Sequence, residues 1–260
     1  MKKIAVITGA TSGIGKATAE YFAENGYIVY SLARRQADGI KSILTDVTDK
    51  SAVDAAIAEI VEAEGRIDVV INNAGFGISG AIEYTPESAA RKIFDVNFFG
   101  ALNVIQAVIP VMRKQQDGIV INVSSAAAPL SLPFQAFYSA TKAALSSLTE
   151  ALRIEVAPFN IRVTSILPGD VKTDFTSKRQ KNADDNTVYS KRIATSISKM
   201  EHDEQNGMSP KYIAKQIYKL SNRKNPPVYK VGGSSYAFLV GIAKIMPKRL
   251  VSFLIGKLYG

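Results

Sequence analysis

Short apolar runs that never alternate with polar residues constrain this chain most. They lie at 4–8, 28–33, 43–44, 69–72, 119–123, 162–167 and 227–231. A strand without polar alternation has no wet face, so it belongs in a parallel sheet covered by helices on both sides. Helical patterns fill the gaps between the runs. One extends from Gly13 to about Asn25 and another from Pro86 to about Lys114. A third covers 137–156, and 51–64 repeats Ala52, Ala55, Ala56, Ile60 and Ala63 at helical spacing. Strand–helix alternation predicts an α/β fold, a doubly wound Rossmann-type unit around a central parallel sheet. Such a sheet binds ligands at the carboxyl ends of its strands. The loops at 9–15, 34–35, 46, 73–75, 125 and 168–169 all follow strands, so the topology brings them to one edge.

Composition removes several chemistries. With 260 residues, 47% hydrophobic and 21% charged, the chain can bury a substantial core. No Pro/Gly/Ser-rich stretch or charge block divides it, and one domain is expected over 1–260. There is no cysteine, which excludes a disulfide framework, a thiol nucleophile and a cysteine metal site. The one histidine, His202, sits in a polar stretch, which argues against Ser-His-Asp catalysis and a multi-histidine metal centre. Met1-Lys2-Lys3 precedes an apolar run too short for a secretory signal. No run of 18 apolar residues occurs, so no spanning helix is expected and the location expected is cytoplasmic.

The first loop, Thr8-Gly9-Ala10-Thr11-Ser12-Gly13-Ile14-Gly15, joins the first strand to the first helix. Glycines there allow a tight turn and let backbone N–H groups approach a pyrophosphate. The spacing is GxxxGxG. After the second strand, an acidic residue would hold a ribose 2′-hydroxyl. This chain instead reads Ser31-Leu32-Ala33-Arg34-Arg35, with two guanidiniums available for a phosphate. The expected cofactor is NADP(H).

Tyr138 and Lys142 stand four residues apart, and Ser125 lies thirteen residues before the tyrosine. On a helix, the phenol and ammonium share a face. A neighbouring cation favours phenolate, so the expectation is a Tyr138 pKa below its usual 10 and proton exchange near neutral pH. A lone YxxxK is common in ordinary helices, so the spacing acquires weight only from the nucleotide loop upstream.

Together these motifs resemble the short-chain dehydrogenase/reductase family, from Ile4 to about Phe175. Thr8 to Gly15 matches TGxxxGIG. Asp46 and Val47 match the segment that meets adenine, and Asn72-Asn73-Ala74-Gly75 matches NNAG. Asn97, Ser125, Tyr138 and Lys142 match the catalytic tetrad, while Pro168, Gly169, Val171 and Thr173 match the nicotinamide segment. The stretch 161–175 is similar to that of retinoid-, steroid- and lipid-active reductases. The resemblance implies Tyr138 as acid and base, and Lys142 lowering its pKa and bonding the nicotinamide ribose. It also implies Ser125 holding the substrate oxygen and Asn97 positioning a relay water. Gly9, Thr11, Ser12, Gly13, Ile14, Gly15, Arg34, Arg35, Asp46, Val47, Asn73, Ala74 and Gly75 would bind the dinucleotide. Ser124 is adjacent, but the thirteen-residue spacing favours Ser125. The short link between Arg35 and Asp46 departs from members with a full helix there. Ser12 stands where many NADP-using members carry a basic residue. Family members commonly form homodimers or homotetramers through the helices at 86–114 and 137–156.

Residues 175–209 are expected to cover the substrate as a mobile lid, with Asp184-Asp185 in a distal half that reads equally as a surface insertion. The basic excess is confined to the end of the chain. Residues 211–260 hold ten Lys/Arg and no Asp/Glu, while the first 210 hold 22 against 23. Pro247 divides 236–259 into two helical pieces, and Leu250, Phe253, Leu254 and Leu258 form one apolar face of the second. That arm suits a wall over an apolar pocket, an oligomer contact or an anionic membrane surface. No nucleic-acid module accompanies the charge. The expected activity is interconversion of a carbonyl and an alcohol on an apolar, lipid- or steroid-like small molecule. A 3-oxoacyl-thioester reductase is the alternative enzyme, and a non-catalytic NADP(H) sensor is the alternative of another class.

Overall fold

The computed structural model describes residues 2–181 and 188–260. The pair Asp184-Asp185 lies outside the described residues.

From the N-terminus the elements are β1 (Ile4–Thr8), α1 (Gly13–Glu24), β2 (Ile28–Ala33), β3 (Lys41–Leu44), α2 (Lys50–Glu64), β4 (Val69–Asn72) and a two-residue strand, β5 (Ile78–Ser79). Helix α3 (Glu87–Phe94) passes through a π-helical segment, Asp95–Phe99, into α4 (Gly100–Gln115). Then come β6 (Gly118–Val123), α5 (Ala136–Glu155), β7 (Ile161–Pro168) and β8 (Gln180–Lys181). The chain closes with α6 (Ser190–Gln205), α7 (Pro210–Ser221), β9 (Tyr229–Gly232), α8 (Ser234–Ile245) and α9 (Lys248–Tyr259).

Seven strands form one sheet in the order β3-β2-β1-β4-β6-β7-β9, and every pairing is parallel. The order reverses direction between β1 and β4, which opens the crevice expected of a doubly wound sheet. Strands β1, β4 and β6 are buried throughout, as their unalternating sequences require. One face of the sheet packs on α2, α4 and α5 through Ile57, Ile60, Val108, Met112 and Leu152. The other packs on α1 and α7 through Phe22, Ile213, Ile217 and Leu220. A polar chain also crosses the first interface. Asn72 Nδ2 donates to Asn122 Oδ1 (2.9 Å), Asn122 Nδ2 to Thr149 Oγ1 (2.8 Å), and Thr149 Oγ1 to the Leu145 carbonyl (2.7 Å). Buried polar groups tolerate few alternative arrangements, so this chain fixes how α5 sits on the strands.

Two helices depart from the sequence expectation. Within 175–209, for which no helix is expected from the sequence, residues 190–205 form α6, which buries Ile193, Ile197 and Met200 at i, i+4, i+7. Helix α7 was not anticipated, although Ser209 caps it by accepting from Tyr212 N and Pro210 occupies its first turn. A correction also concerns membrane spans. The continuous run Glu87–Gln115 is long and apolar enough to cross a bilayer by length and composition. Its apolar character has a local cause, because Val104, Val108 and Met112 are core residues against the sheet and α2.

Candidate active site

Every strand-end loop singled out in the sequence opens onto one cavity of about 990 Å³. Its lining includes Gly9, Thr11, Ser12, Gly13, Ile14, Arg34, Arg35, Asp46, Val47, Asn73, Ala74 and Gly75 at one end. Ser125, Tyr138, Lys142, Pro168, Gly169, Val171 and Thr173 line the rest, together with apolar side chains from α8 and α9. Two expected residues stand behind the wall rather than on it, Gly15 and Asn97.

The nucleotide end is built by close backbone packing. A Cβ on Gly15 would lie 2.3 Å from the Gly9 carbonyl and 2.5 Å from Asn73 Nδ2, so only glycine fits. Asn73 Nδ2 donates to the carbonyls of Thr8 (3.0 Å) and Gly9 (3.2 Å), while Thr8 Oγ1 accepts from the amides of Asn73 and Ala74. Asn73 therefore ties its loop to the glycine loop. Ser12 leads into α1 without a side-chain cap, which leaves the first amides of that helix open to an anion. Asp46 turns back on itself, its Oδ1 accepting from Thr48 N and Thr48 Oγ1. Arg34 and Arg35 are exposed, line the cavity and have no carboxylate partner among the described residues. A loop with room for a pyrophosphate, an uncapped helix start and two free guanidiniums fit a dinucleotide.

At the other end, α5 presents Tyr138 and Lys142 from successive turns. Lys142 is 5% exposed, and its Nζ donates to the Val123 carbonyl (2.8 Å) and lies 5.8 Å from the Tyr138 ring centre. The hydroxyl of Ser124 is bonded to the Lys142 carbonyl and to Ser146 Oγ. Ser125 lacks those ties; its Oγ accepts from Ala127 N (3.1 Å) and it acts on the Tyr138 phenol. The distinction between the two serines is thus structural as well as one of spacing.

The expected lowering of the tyrosine pKa is reversed. Burial pushes the Tyr138 phenol up to about 12, against a smaller downward pull from Ser125, and Glu204 and Asp170 push the same way as burial. Burial also pulls the Lys142 ammonium down to about 8. The two groups share an enclosed wall, and desolvation penalises both charged forms before either can favour the other. Asn97 lies behind this wall. At 1% exposure, in the π-helical segment, its amide donates to the Phe76 carbonyl and Thr141 Oγ1 and accepts from Phe76 N. Both amide hydrogens are taken, so its side chain clamps the 75–76 loop to α5.

A cluster not foreseen from sequence lies beside the tyrosine. Phe175 packs 5.6 Å from the Tyr138 ring, and Arg179 stands 5.8 Å from the Phe175 ring. Arg179 is 4% exposed and pairs with Glu204 of α6, which also accepts from Thr176 Oγ1 (2.5 Å). Its Nε and Nη1 have no partner among the described residues. Tyr236 of α8 donates to Asp170, and its ring occupies the space a Cβ on Gly169 would need. Tyr259 of α9 donates to Asp203 (3.3 Å). These contacts join the 170–205 segment to the C-terminal helices.

Parallel sheet, glycine loop and Ser-Tyr-Lys cavity wall together define a dinucleotide-dependent oxidoreductase. The short chain dehydrogenase family model matches residues 3–184, and the chain belongs to that family. It is 41% identical over 230 residues to the 3-ketodihydrosphingosine reductase of Bacteroides thetaiotaomicron, covering 86% of each chain. It is 35% identical over 195 residues to the 3-oxoacyl-(acyl-carrier-protein) reductase of Thermotoga maritima, covering 70% of this chain and 79% of that one. Among solved structures, a short-chain dehydrogenase from Streptomyces avermitilis is similar with a TM-score of 0.85 and 32% identity, covering 97% of both chains.

Proposed function

We propose that the protein is an NADP(H)-dependent reductase of an apolar, lipid-like ketone, with Tyr138 as the proton donor. One observation carries this reading: a single cavity joins two unpaired arginines, the Ser125–Tyr138–Lys142 wall and an apolar end built by α8 and α9. The likeness to a 3-ketodihydrosphingosine reductase supports a long-chain ketone. Bound at the glycine loop, the dinucleotide would supply the hydride, with Arg34 and Arg35 on its 2′-phosphate. Ser125 donates a hydrogen bond to the substrate oxygen and holds it against Tyr138. As negative charge develops on that oxygen, the phenol gives up its proton and the alcohol forms. The phenol is protonated at neutral pH, as the proton donor of a reduction must be. The charged Lys142 opposes the cost of leaving a phenolate behind. Asn97 acts as a positioning residue for the 75–76 loop. We read the chain as one domain, with 175–209 as substrate lid and 235–260 as the arm that walls the cavity.

NADPH absorbance followed with a panel of ketones tests the reading. Tyr138→Phe should cost about a thousandfold in kcat while NADPH binding, read by fluorescence, stays within a fewfold. Turnover retained in that variant would remove the assignment. A second reading, reduction of 3-oxoacyl thioesters, draws on the Thermotoga maritima relative and on the acid-free basic C-terminal stretch, which suits an acidic carrier. Carrier-bound 3-oxoacyl thioesters turned over far faster than free long-chain ketones would select it.

A further inference from the structure

Helices α8 and α9 wall the cavity with one side, and the other side is not explained by that task. Fifteen large hydrophobic residues are exposed among the described residues, and seven of them lie on these two 12-residue helices. Phe238 is 68% exposed, Ile245 84% and Phe253 56%. None of these three lines the cavity, so the pocket does not account for them. On α8, Phe238 and Ile245 are seven residues apart and share a face. On α9, Leu250, Phe253, Leu254 and Leu258 form one stripe. The same helices expose Lys244, Lys248, Arg249 and Lys257 and carry no acidic residue.

The helices are nonetheless seated. Val240 and Val251 are buried, Tyr236 bonds Asp170 and Tyr259 bonds Asp203. Their outward apolar faces are therefore a fixed surface. Leu239, Leu254 and Leu258 belong to both sides at once, being exposed while lining the cavity. The outer apolar face and the cavity wall are continuous through them, which places an apolar rim at the mouth.

We propose that α8 and α9 dock on an anionic lipid bilayer, with the cavity mouth in the docked face. An apolar stripe flanked by Lys/Arg without acids matches the two layers of such a surface, acyl chains beneath anionic headgroups. A second copy of this chain is a poorer occupant, because it would bring a face with the same four cations against these four. Docking stands apart from the reductase reading. Only the identity of what enters the mouth, an apolar ketone passing from the bilayer without crossing water, rests on it.

Co-sedimentation of the full chain with phosphatidylglycerol/phosphatidylcholine vesicles, and with phosphatidylcholine alone, tests the docking. Pelleting with the anionic vesicles is expected. Each near-surface cation contributes about fivefold to binding, so Lys248→Gln/Arg249→Gln should weaken it about 25-fold. Ile245→Ser/Phe253→Ser should abolish pelleting. None of these four residues lines the cavity, so both variants should keep wild-type circular dichroism and wild-type turnover of a short, water-soluble ketone. Failure of the wild type to pellet with anionic vesicles overturns the proposal. Equally tight binding to neutral vesicles or by the charge variant overturns it too, as does a dimer that Ile245→Ser/Phe253→Ser dissolves. Failure of the reductase reading would show separately, as absent NADPH oxidation by a chain that still pellets.

Discussion

Replacing Lys142 by methionine should stabilise the protein at neutral pH while removing its turnover. Burial lowers this ammonium from an ordinary 10.5 to about 8, so the folded state holds the charge at a cost of about 3 kcal/mol. Methionine fills a similar volume without a charge, and such swaps are well tolerated in packed sites. Against that gain stands the bond from Nζ to the Val123 carbonyl at 2.8 Å, which contributes roughly 1 kcal/mol. The net expectation is a gain of about 2 kcal/mol at pH 7. The sign depends on pH in a defined way. Because the folded pKa lies below the unfolded one, both states are charged below pH 8 and the penalty is complete there. It fades between the folded value near 8 and the unfolded value near 10.5, so the wild type gains relative stability as pH rises through that window. The advantage of the methionine variant should therefore shrink above pH 8 and reverse at about pH 9.5. Urea unfolding followed by circular dichroism at pH 7 and pH 10, at matched protein concentration, measures both ends. A variant less stable than wild type at pH 7, or a difference that ignores pH, would refute the account of Lys142 as a buried charge retained for chemistry.

Three further outcomes follow from the same geometry. The kcat/KM for reduction should fall about tenfold per pH unit above about pH 8, where Lys142 loses its charge while the Tyr138 phenol remains protonated; a profile flat to pH 10 would detach Lys142 from the proton transfer. Gly15→Ala forces a methyl to 2.3 Å from the Gly9 carbonyl, so a loss of about 1–3 kcal/mol in stability is expected, with NADPH affinity reduced beyond detection by fluorescence titration. Near-native affinity in that variant would show that the glycine loop yields more than its hydrogen bonds to Asn73 suggest. Arg34→Ser/Arg35→Ser should raise the KM for NADPH on the order of a hundredfold, through lost charge-assisted bonds to phosphate, and leave the KM for NADH within threefold; equal losses for both cofactors would deny the arginines a role in selection.

What could be read from the residues alone was whatever depends on one segment at a time. The strands were legible because a strand buried on both faces must be apolar throughout. Once strands are parallel, chain direction alone delivers Gly9, Arg34, Asn73, Ser125 and Pro168 to one edge. The pairing of Tyr138 with Lys142 was legible because one helical turn separates them. Helices α6 and α7 left signals that a polar average obscures: Ile193, Ile197 and Met200 in one, and the Ser209-Pro210 start in the other. The cluster around Arg179 left none. Its partner is 25 residues away on another element, and its nearness to Tyr138 depends on how Phe175 folds over the ring. The role of the Asn97 amide was hidden for a related reason, since its partners Phe76 and Thr141 come from two other segments.

The reversal at Tyr138 joins these observations. A neighbouring cation lowers a phenol's pKa only if desolvation costs less than the attraction returns. Here the enclosure comes largely from segments outside the tetrad, because Phe175, Glu204, Tyr236 and the α9 side chains close the cavity around residues supplied by the sheet and α5. The charges acting on the phenol, Glu204, Arg179 and Asp170, belong to the same 170–205 segment. That segment is tied through Tyr236 and Tyr259 to the helices proposed to meet the bilayer. Ser125, Tyr138 and Lys142 thus come from a strand end and α5, whereas the environment that raises the Tyr138 pKa comes largely from the cover.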